Sequence, residues 1–193
     1  MMYGANFVFG YGSLMNLDKL QQYLGRDLAF GLDFKICGLR NFHRCWNVSM
    51  DNRLNLPNYK YYIELETGNR PESFITFLNI RPYQGKTITG ILFRVSHQEL
   101  KKLDQRERNY QRIDVTQRIE EQIEGKAWVY IGLKEAQQRY EEGLKQENGM
   151  IAQDYFDSIH YGYGLWGQAT LVNYVTTTDK PRVPILNLKS CQV

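Results

Sequence analysis

Phe7-Val8-Phe9-Gly10-Tyr11-Gly12-Ser13-Leu14-Met15 is the stretch on which the reading of this chain turns. The short apolar run from Phe7 to Phe9 reads as a buried strand. It stops at a pair of glycines, and a helix follows. Asn16 suits an N-cap, Leu17, Leu20 and Leu24 fall at helical spacing, and Gly25 provides a C-terminal stop. The glycines allow the backbone to approach a ligand with no Cβ in the way. Amides at such a strand–loop–helix junction can converge on an anion or on a developing oxyanion. The same residues equally suit a tight turn before a capped helix, with no ligand.

The 193 residues suffice for one domain with a sizeable core, and no linker or repeat divides them. With 42% hydrophobic and 23% charged residues, the composition is that of a soluble globular protein. A net charge of +3 is too mild to argue for nucleic acid. No apolar run reaches the length of a membrane helix, and the amino-terminal residues lack the pattern of a secretory signal. Cys37, Cys45 and Cys191 contain no Cys-x-x-Cys and are odd in number, which reads as free thiols in a reducing cytoplasm. His43, His97 and His160 lack metal-ligand spacing, so no metal is expected.

Beyond the first helix, strands are expected over 28–37, 61–65, 74–78, 88–95, 112–119 and 127–131, with a bent strand over 40–46 and a turn over 81–86. Residues 47–72 read as a surface excursion, and the tail from Asp179, with Pro181 and Pro184, as a surface wrap within a C-terminal extension over 168–193. Helices are expected over 134–144 and 151–160, and Ser96-His97-Gln98-Glu99 is a capping box that opens another. Many strands with a few helices suggest one α+β domain built on a strongly curved sheet or small barrel.

The helix opened by Ser96 carries an unusual carboxylate. Leu100 and Leu103 form its apolar stripe, and Glu107, seven and four residues on, falls on the same inward face. A carboxylate there is either paired or functional. It suits a general base. It also suits an ion pair with an arginine, or a helix that ends early and leaves it in solvent. Tyr110 follows closely enough to share a pocket with Glu107, or simply opens the next strand.

Together these features resemble the γ-glutamylcyclotransferase family, and especially its ChaC-type branch. Tyr11-Gly12-Ser13-Leu14 resembles the family's Tyr-Gly-Ser loop after the first strand. Leu103-Asp104-Gln105-Arg106-Glu107 matches its Leu-Asp-x-x-Glu context, and the run on to Tyr110 is similar to the ChaC-type pattern. Gly90-Ile91-Leu92-Phe93 resembles the family's glycine-bearing strand, and Tyr155, seven before Gly162, has the spacing of a substrate-contacting tyrosine. The resemblance implies a γ-glutamylcyclotransferase-like fold, with a small curved, barrel-like mixed sheet and peripheral helices. It implies a cytoplasmic enzyme that cyclises a small γ-glutamyl substrate to 5-oxoproline without cofactor, metal, nucleic acid or membrane. Glu107 would be the catalytic base. Tyr11, Gly12, Ser13, Leu14, Tyr110 and Tyr155 would bind substrate, the loop through its amides. Ser13 would donate a hydrogen bond rather than attack, since no His–Asp arrangement supports it.

Three other readings stand beside this one. A related cyclotransferase could act on a γ-glutamylamine rather than on glutathione or a γ-glutamyl dipeptide, and the motifs do not separate these. A binding or interaction protein could retain the fold without catalysis, although Glu107 argues against it. Gly162-Tyr163-Gly164-Leu165-Trp166-Gly167 matches a dinucleotide fingerprint, but it follows a helical segment rather than a strand.

Overall fold

The computed structural model describes residues 4–57 and 59–192. Two long strands organise it. β2 (Phe34–Asp51) and β4 (Phe74–Val95) pair antiparallel from Phe34 opposite Phe93 to Asp51 opposite Phe74. The turn expected over 81–86 is instead an irregularity within β4. The register shifts between Arg40 and Phe42, Asn41 takes a left-handed φ of 64°, and its side chain accepts from the Gly85 amide. The strand expected from Leu28 begins at Phe34. Before it, Gly31 (φ 82°) bends the chain and leaves Phe30 and Leu32 exposed.

β1 (Ala5–Gly10) pairs antiparallel with residues 91–95 of β4, and β7 (Gly149–Ala152) pairs parallel with Phe74 and Ile75. Phe93 and Phe74 each also face β2, so β1 and β7 share the other edge of β4. β6 (Gly125–Gly132) lies parallel to β1, β5 (Tyr110–Asp114) antiparallel to β6, and β8 (Ile185–Leu186) parallel to β7. The result is an α+β fold whose mixed sheet stays open in the order β5-β6-β1-β4-β7-β8, without closing into a barrel. β5 ends at Asp114, earlier than the strand expected over 112–119, because a 3-10 turn takes Thr116–Arg118.

Between β7 and β1, among the described residues, no strand pairs with β4 on their shared edge. Buried backbone groups need partners, and side chains supply them. Asn173 accepts from the Thr89 amide (2.8 Å) and donates to the Thr87 carbonyl (3.0 Å). Further along the gap, the amide and the carbonyl of Leu78 are held by two tyrosines that belong to the site described below.

α1 (Leu17–Leu24) is capped as expected, with Asn16 accepting from the Lys19 amide and Gly25 in the left-handed region. α2 (His97–Arg106) opens on the reciprocal Ser96–Glu99 capping box. α3 (Lys134–Lys145), α4 (Gln153–Gly164) and α5 (Gln168–Thr176) complete the helices. Residues 151 and 152, expected in a helix, belong to β7. Among the described residues, no helix is long and apolar enough to cross a membrane.

The excursion and the extension meet. β3 (Lys60–Glu64) pairs antiparallel with β9 (Leu188–Gln192) in a ribbon separate from the main sheet. Tyr62 and Leu188 seat it on Met50, Ile75 and Phe77, forming a second small core. Buried Asn52 fastens it, exchanging hydrogen bonds with the Tyr62 amide (2.7 Å) and carbonyl (2.9 Å). Thus 47–51 complete β2, and β8 and β9 stand where a wrapping tail was expected.

Candidate active site

From Phe7 onward β1 is an apolar run that ends buried at Val8, Phe9 and Gly10, as a central strand covered on both faces requires. The chain leaves it through Tyr11 into a 3-10 turn over Ser13–Met15. Tyr11 does not line the cavity, contrary to the expectation. It stays in the interior, where its hydroxyl donates to the Tyr130 carbonyl (2.7 Å) and its own carbonyl accepts from the Tyr163 hydroxyl (2.7 Å). The Leu14 side chain also packs in the core. Fully buried Met15 and Leu20 fix the loop on either side, each contributing about 1.5–3 kcal/mol. The first amides of such a turn lack intrahelical acceptors. Of Gly12, Ser13 and Leu14, Ser13 lines the cavity described below, and Gly12 and Leu14, expected to bind substrate with it, do not.

α4 seats against this loop because Gly162 has no side chain. A Cβ there would lie 2.8 Å from the Asn16 nitrogen and from the Met15 carbonyl carbon. Gly162 therefore serves helix packing near the carboxyl end of α4, while Gly167 (φ 90°) turns the chain into α5. A dinucleotide fingerprint opens with its first glycine directly after a strand, and here Gly162 lies within α4.

A cavity of about 880 Å³ lies beside the loop, and Ser13, Glu107, Tyr110 and Tyr155 all line it. α2 ends at Arg106, and Glu107 caps it with φ −85° and ψ 48°. Its amide still reaches the Leu103 carbonyl (2.9 Å), and its carbonyl accepts from the Tyr110 amide (2.9 Å). The Glu107 side chain is 17% exposed on the cavity wall, and Arg106 Nε lies 3.6 Å from Oε1. The helix end and the ion pair, each considered above as an alternative to a functional carboxylate, therefore coexist with a carboxylate facing the cavity. Arg106 also donates to Ser13 Oγ (3.3 Å). A guanidinium cannot take a proton from that hydroxyl, and among the described residues no histidine lines the cavity beside Ser13.

Tyr110 donates to the Leu78 carbonyl (2.8 Å), while the Tyr155 hydroxyl accepts from the Leu78 amide (3.3 Å). A Cβ built on Gly12 lies 3.7 Å from that Tyr155 hydroxyl. The loop backbone and a phenol whose proton is free to donate therefore stand side by side. Burial, reinforced by neighbouring tyrosines and by Glu107, raises both phenols above the usual tyrosine range and keeps them protonated.

Several cavity residues carry no sequence signal that singles them out. Lys60 and Gln192 come from the ribbon, and Phe77 from β4. Asn109 also lines the cavity and donates to the Tyr59 hydroxyl (2.8 Å). Asn109 in turn accepts from Arg139, which holds the Ser49 carbonyl (2.7 Å). This chain of bonds ties the segment after Glu107 to β2 and to the excursion. The motif reading stopped at Tyr110, and nothing in spacing alone reaches these residues.

Residues 8–149 match the family model described as gamma-glutamyl cyclotransferase, AIG2-like. The match holds more than half of the chain and includes Gly12, Ser13, Glu107 and Tyr110, and the chain belongs to that family. Among solved structures, one named gamma-glutamyl cyclotransferase is similar at a TM-score of 0.54 and 12% identity, over 94% of this chain and 93% of its own. Uncharacterized protein loc79017 from Homo sapiens is similar at 0.56 and 13%, over 92% and 89%. YkqA from Bacillus subtilis is similar at 0.54 and 15%, over 89% of this chain and 53% of its own, so the chain spans about half the length of YkqA. At these identities the likeness is one of fold. No curated protein matches the chain by sequence.

Proposed function

We propose that the protein cyclises a γ-glutamyl substrate to 5-oxoproline and releases the attached amine. The observation that carries this reading is that one carboxylate, Glu107, lines the same cavity as Ser13 of the loop and Tyr155. The family supports the class of reaction.

Such a substrate brings its own nucleophile. Glu107 takes a proton from the α-ammonium group, and the freed amine attacks the γ-carbonyl carbon. The carbonyl becomes an oxyanion, which the Gly12–Leu14 amides and the Tyr155 hydroxyl stabilise. Glu107 gives its proton to the leaving nitrogen as the oxyanion collapses and that bond breaks. The attacking nitrogen then loses its second proton to Glu107, which leaves a neutral lactam, and Glu107 passes this proton to the released amine. Five-membered-ring closure needs the substrate held folded, and such near-attack geometry is worth up to ~7–11 kcal/mol. A positioned general base adds ~10²–10⁴-fold.

The test offers glutathione, γ-glutamyl amino acids and γ-glutamylamines and measures 5-oxoproline. Formation from at least one class supports the reading. Glutamate as the product, or turnover of an N-acetylated substrate, shows a hydrolase instead.

A further inference from the structure

The charges around the cavity do not balance for a γ-glutamyl unit alone. Lys60, Lys102, Arg106 and Arg108 line it, against one carboxylate, Glu107. A γ-glutamyl group carries one ammonium and one carboxylate, so it brings no net charge to offset the excess. Arg106 is engaged by Glu107 and Ser13, and Arg108 by the Pro57 carbonyl. Lys102 is exposed on α2. Lys60 differs from all three.

Lys60 is half-buried on the ribbon, cross-strand from Gln192, which also faces the cavity. Its ammonium lies over the Phe77 ring (4.5 Å to the centroid) and the Tyr62 ring (5.4 Å). Phe77 in turn packs edge-on against Tyr155, at 5.1 Å between ring centroids. Among the described residues, no carboxylate lies within ion-pairing distance of Lys60. The aromatic faces hold the cation in place, but they leave it without an anion. A buried charge is costly unless paired, and the open side of this one is the cavity.

We propose that Lys60 and the β3–β9 ribbon form a subsite for a carboxylate on the leaving group, so that the protein prefers γ-glutamyl amino acids or peptides to uncharged γ-glutamylamines. This rests on the cyclotransferase reading above. It assigns to the ribbon a selective role separate from the chemistry at Glu107. The lowered affinity of Lys60 for its proton agrees, since burial pulls the ammonium down to about 8. The charged groups acting on it are Arg106 and Glu107 at the end of α2, Asp154 on α4 and Lys19 on α1.

The experiment compares γ-glutamyl-alanine with γ-glutamyl-alaninamide, which differ in that carboxylate alone, by kcat/KM for 5-oxoproline formation. The wild type should favour the acid by about tenfold to a hundredfold, as a charge-assisted hydrogen bond gives. Lys60→Met should lose this preference through a raised KM for the acid, with the amide unchanged, and Lys60→Arg should keep it. In the wild type itself, the preference should fall as pH rises from 7 to 9.5 and Lys60 loses its charge. That measurement needs no variant. An equal loss on both substrates in Lys60→Met would place Lys60 on the glutamyl part and overturn the proposal while leaving the reaction intact. A preference independent of Lys60 and of pH would overturn it as well. Absence of 5-oxoproline from both substrates, and from glutathione and γ-glutamylamines, in the wild type would remove the cyclotransferase reading, and this proposal with it.

Discussion

Tyr110 and Tyr155, one opening β5 and the other on α4, hold the two backbone polar groups of one residue, Leu78. The first donates to the Leu78 carbonyl and the second accepts from the Leu78 amide. Their hydroxyls stand where a strand would otherwise pair with β4. Removing either strands a buried backbone group, at a cost of about 1–3 kcal/mol. Tyr110→Phe and Tyr155→Phe should each lower stability in this range. Their double-mutant cycle should show a coupling of ~0.5 kcal/mol or more. Urea denaturation of the four proteins measures it, and strict additivity would mean that their common partner, Leu78, does not link them. Activity should separate the two. Tyr155→Phe also loses a donor to the oxyanion, so its kcat should fall further.

Glu107→Gln keeps the shape of the side chain and removes its basicity. The fold should persist and kcat should fall ~10²-fold or more. Near-native turnover in this variant, with an unchanged circular dichroism spectrum, would take Glu107 out of the mechanism.

Gly162→Ala tests the seating of α4 on the loop. A methyl group 2.8 Å from backbone atoms of Met15 and Asn16 forces one element to move. Overpacking of this kind costs about 1–3 kcal/mol, and it should displace the Ser13–Met15 turn. The expected outcome is a lowered melting temperature together with impaired turnover, although Gly162 lies outside the cavity lining. Full activity at full stability would show that the loop tolerates the shift.

Lys60 makes a pH prediction of definite sign. Its ammonium releases its proton near 8 in the folded protein, against an ordinary 10.5. Between these values the unfolded chain binds more protons, so this residue's contribution to stability rises with pH. Buried tyrosines and thiols act in the opposite direction at higher pH. The useful quantity is therefore the difference between wild type and Lys60→Met. Lys60→Met should be the more stable below pH 8, and its advantage should shrink as pH rises toward 10.5. Denaturation midpoints across this range would show a constant difference if the lysine were not desolvated.

The three thiols should react unequally. Burial pushes Cys37 and Cys45 up to about 12, while Cys191 is half-buried on β9. A disulfide reagent at pH 8 should modify Cys191 in the native protein and all three thiols in denaturant, because the thiolate is the reactive form. Cys191→Ser should remove the native reaction.

The sequence allowed the loop, its capped helix and the Leu100–Leu103 stripe to be read because each is local. Capping residues, a glycine stop and a spacing of three or four residues all express short-range geometry. The long β2–β4 pair was less legible. Its irregularity near Asn41 and Gly85 presents the glycine and proline signals of a turn, and the pairing that keeps the strand continuous lies far away in sequence. Tyr11 misled for a related reason. A tyrosine beside two glycines suggests a pocket wall, whereas the acceptor that buries it is the carbonyl of distant Tyr130. Lys60 was invisible, since nothing nearby in the chain announces that β9 will pair with β3.

That pairing has a consequence for how the molecule is made. Synthesis runs from the amino terminus and domains begin to fold as they emerge. Ser13, Phe77, Glu107, Tyr110 and Tyr155 have all left the ribosome before Leu188 to Gln192 can close against Lys60 to Glu64. Loop closure over so much intervening chain is among the slowest contacts to form. Main-sheet strands can thus pair while one wall of the cavity, the β3–β9 ribbon, is still missing. If the ribbon selects the leaving group as proposed, substrate discrimination is the last property the protein acquires.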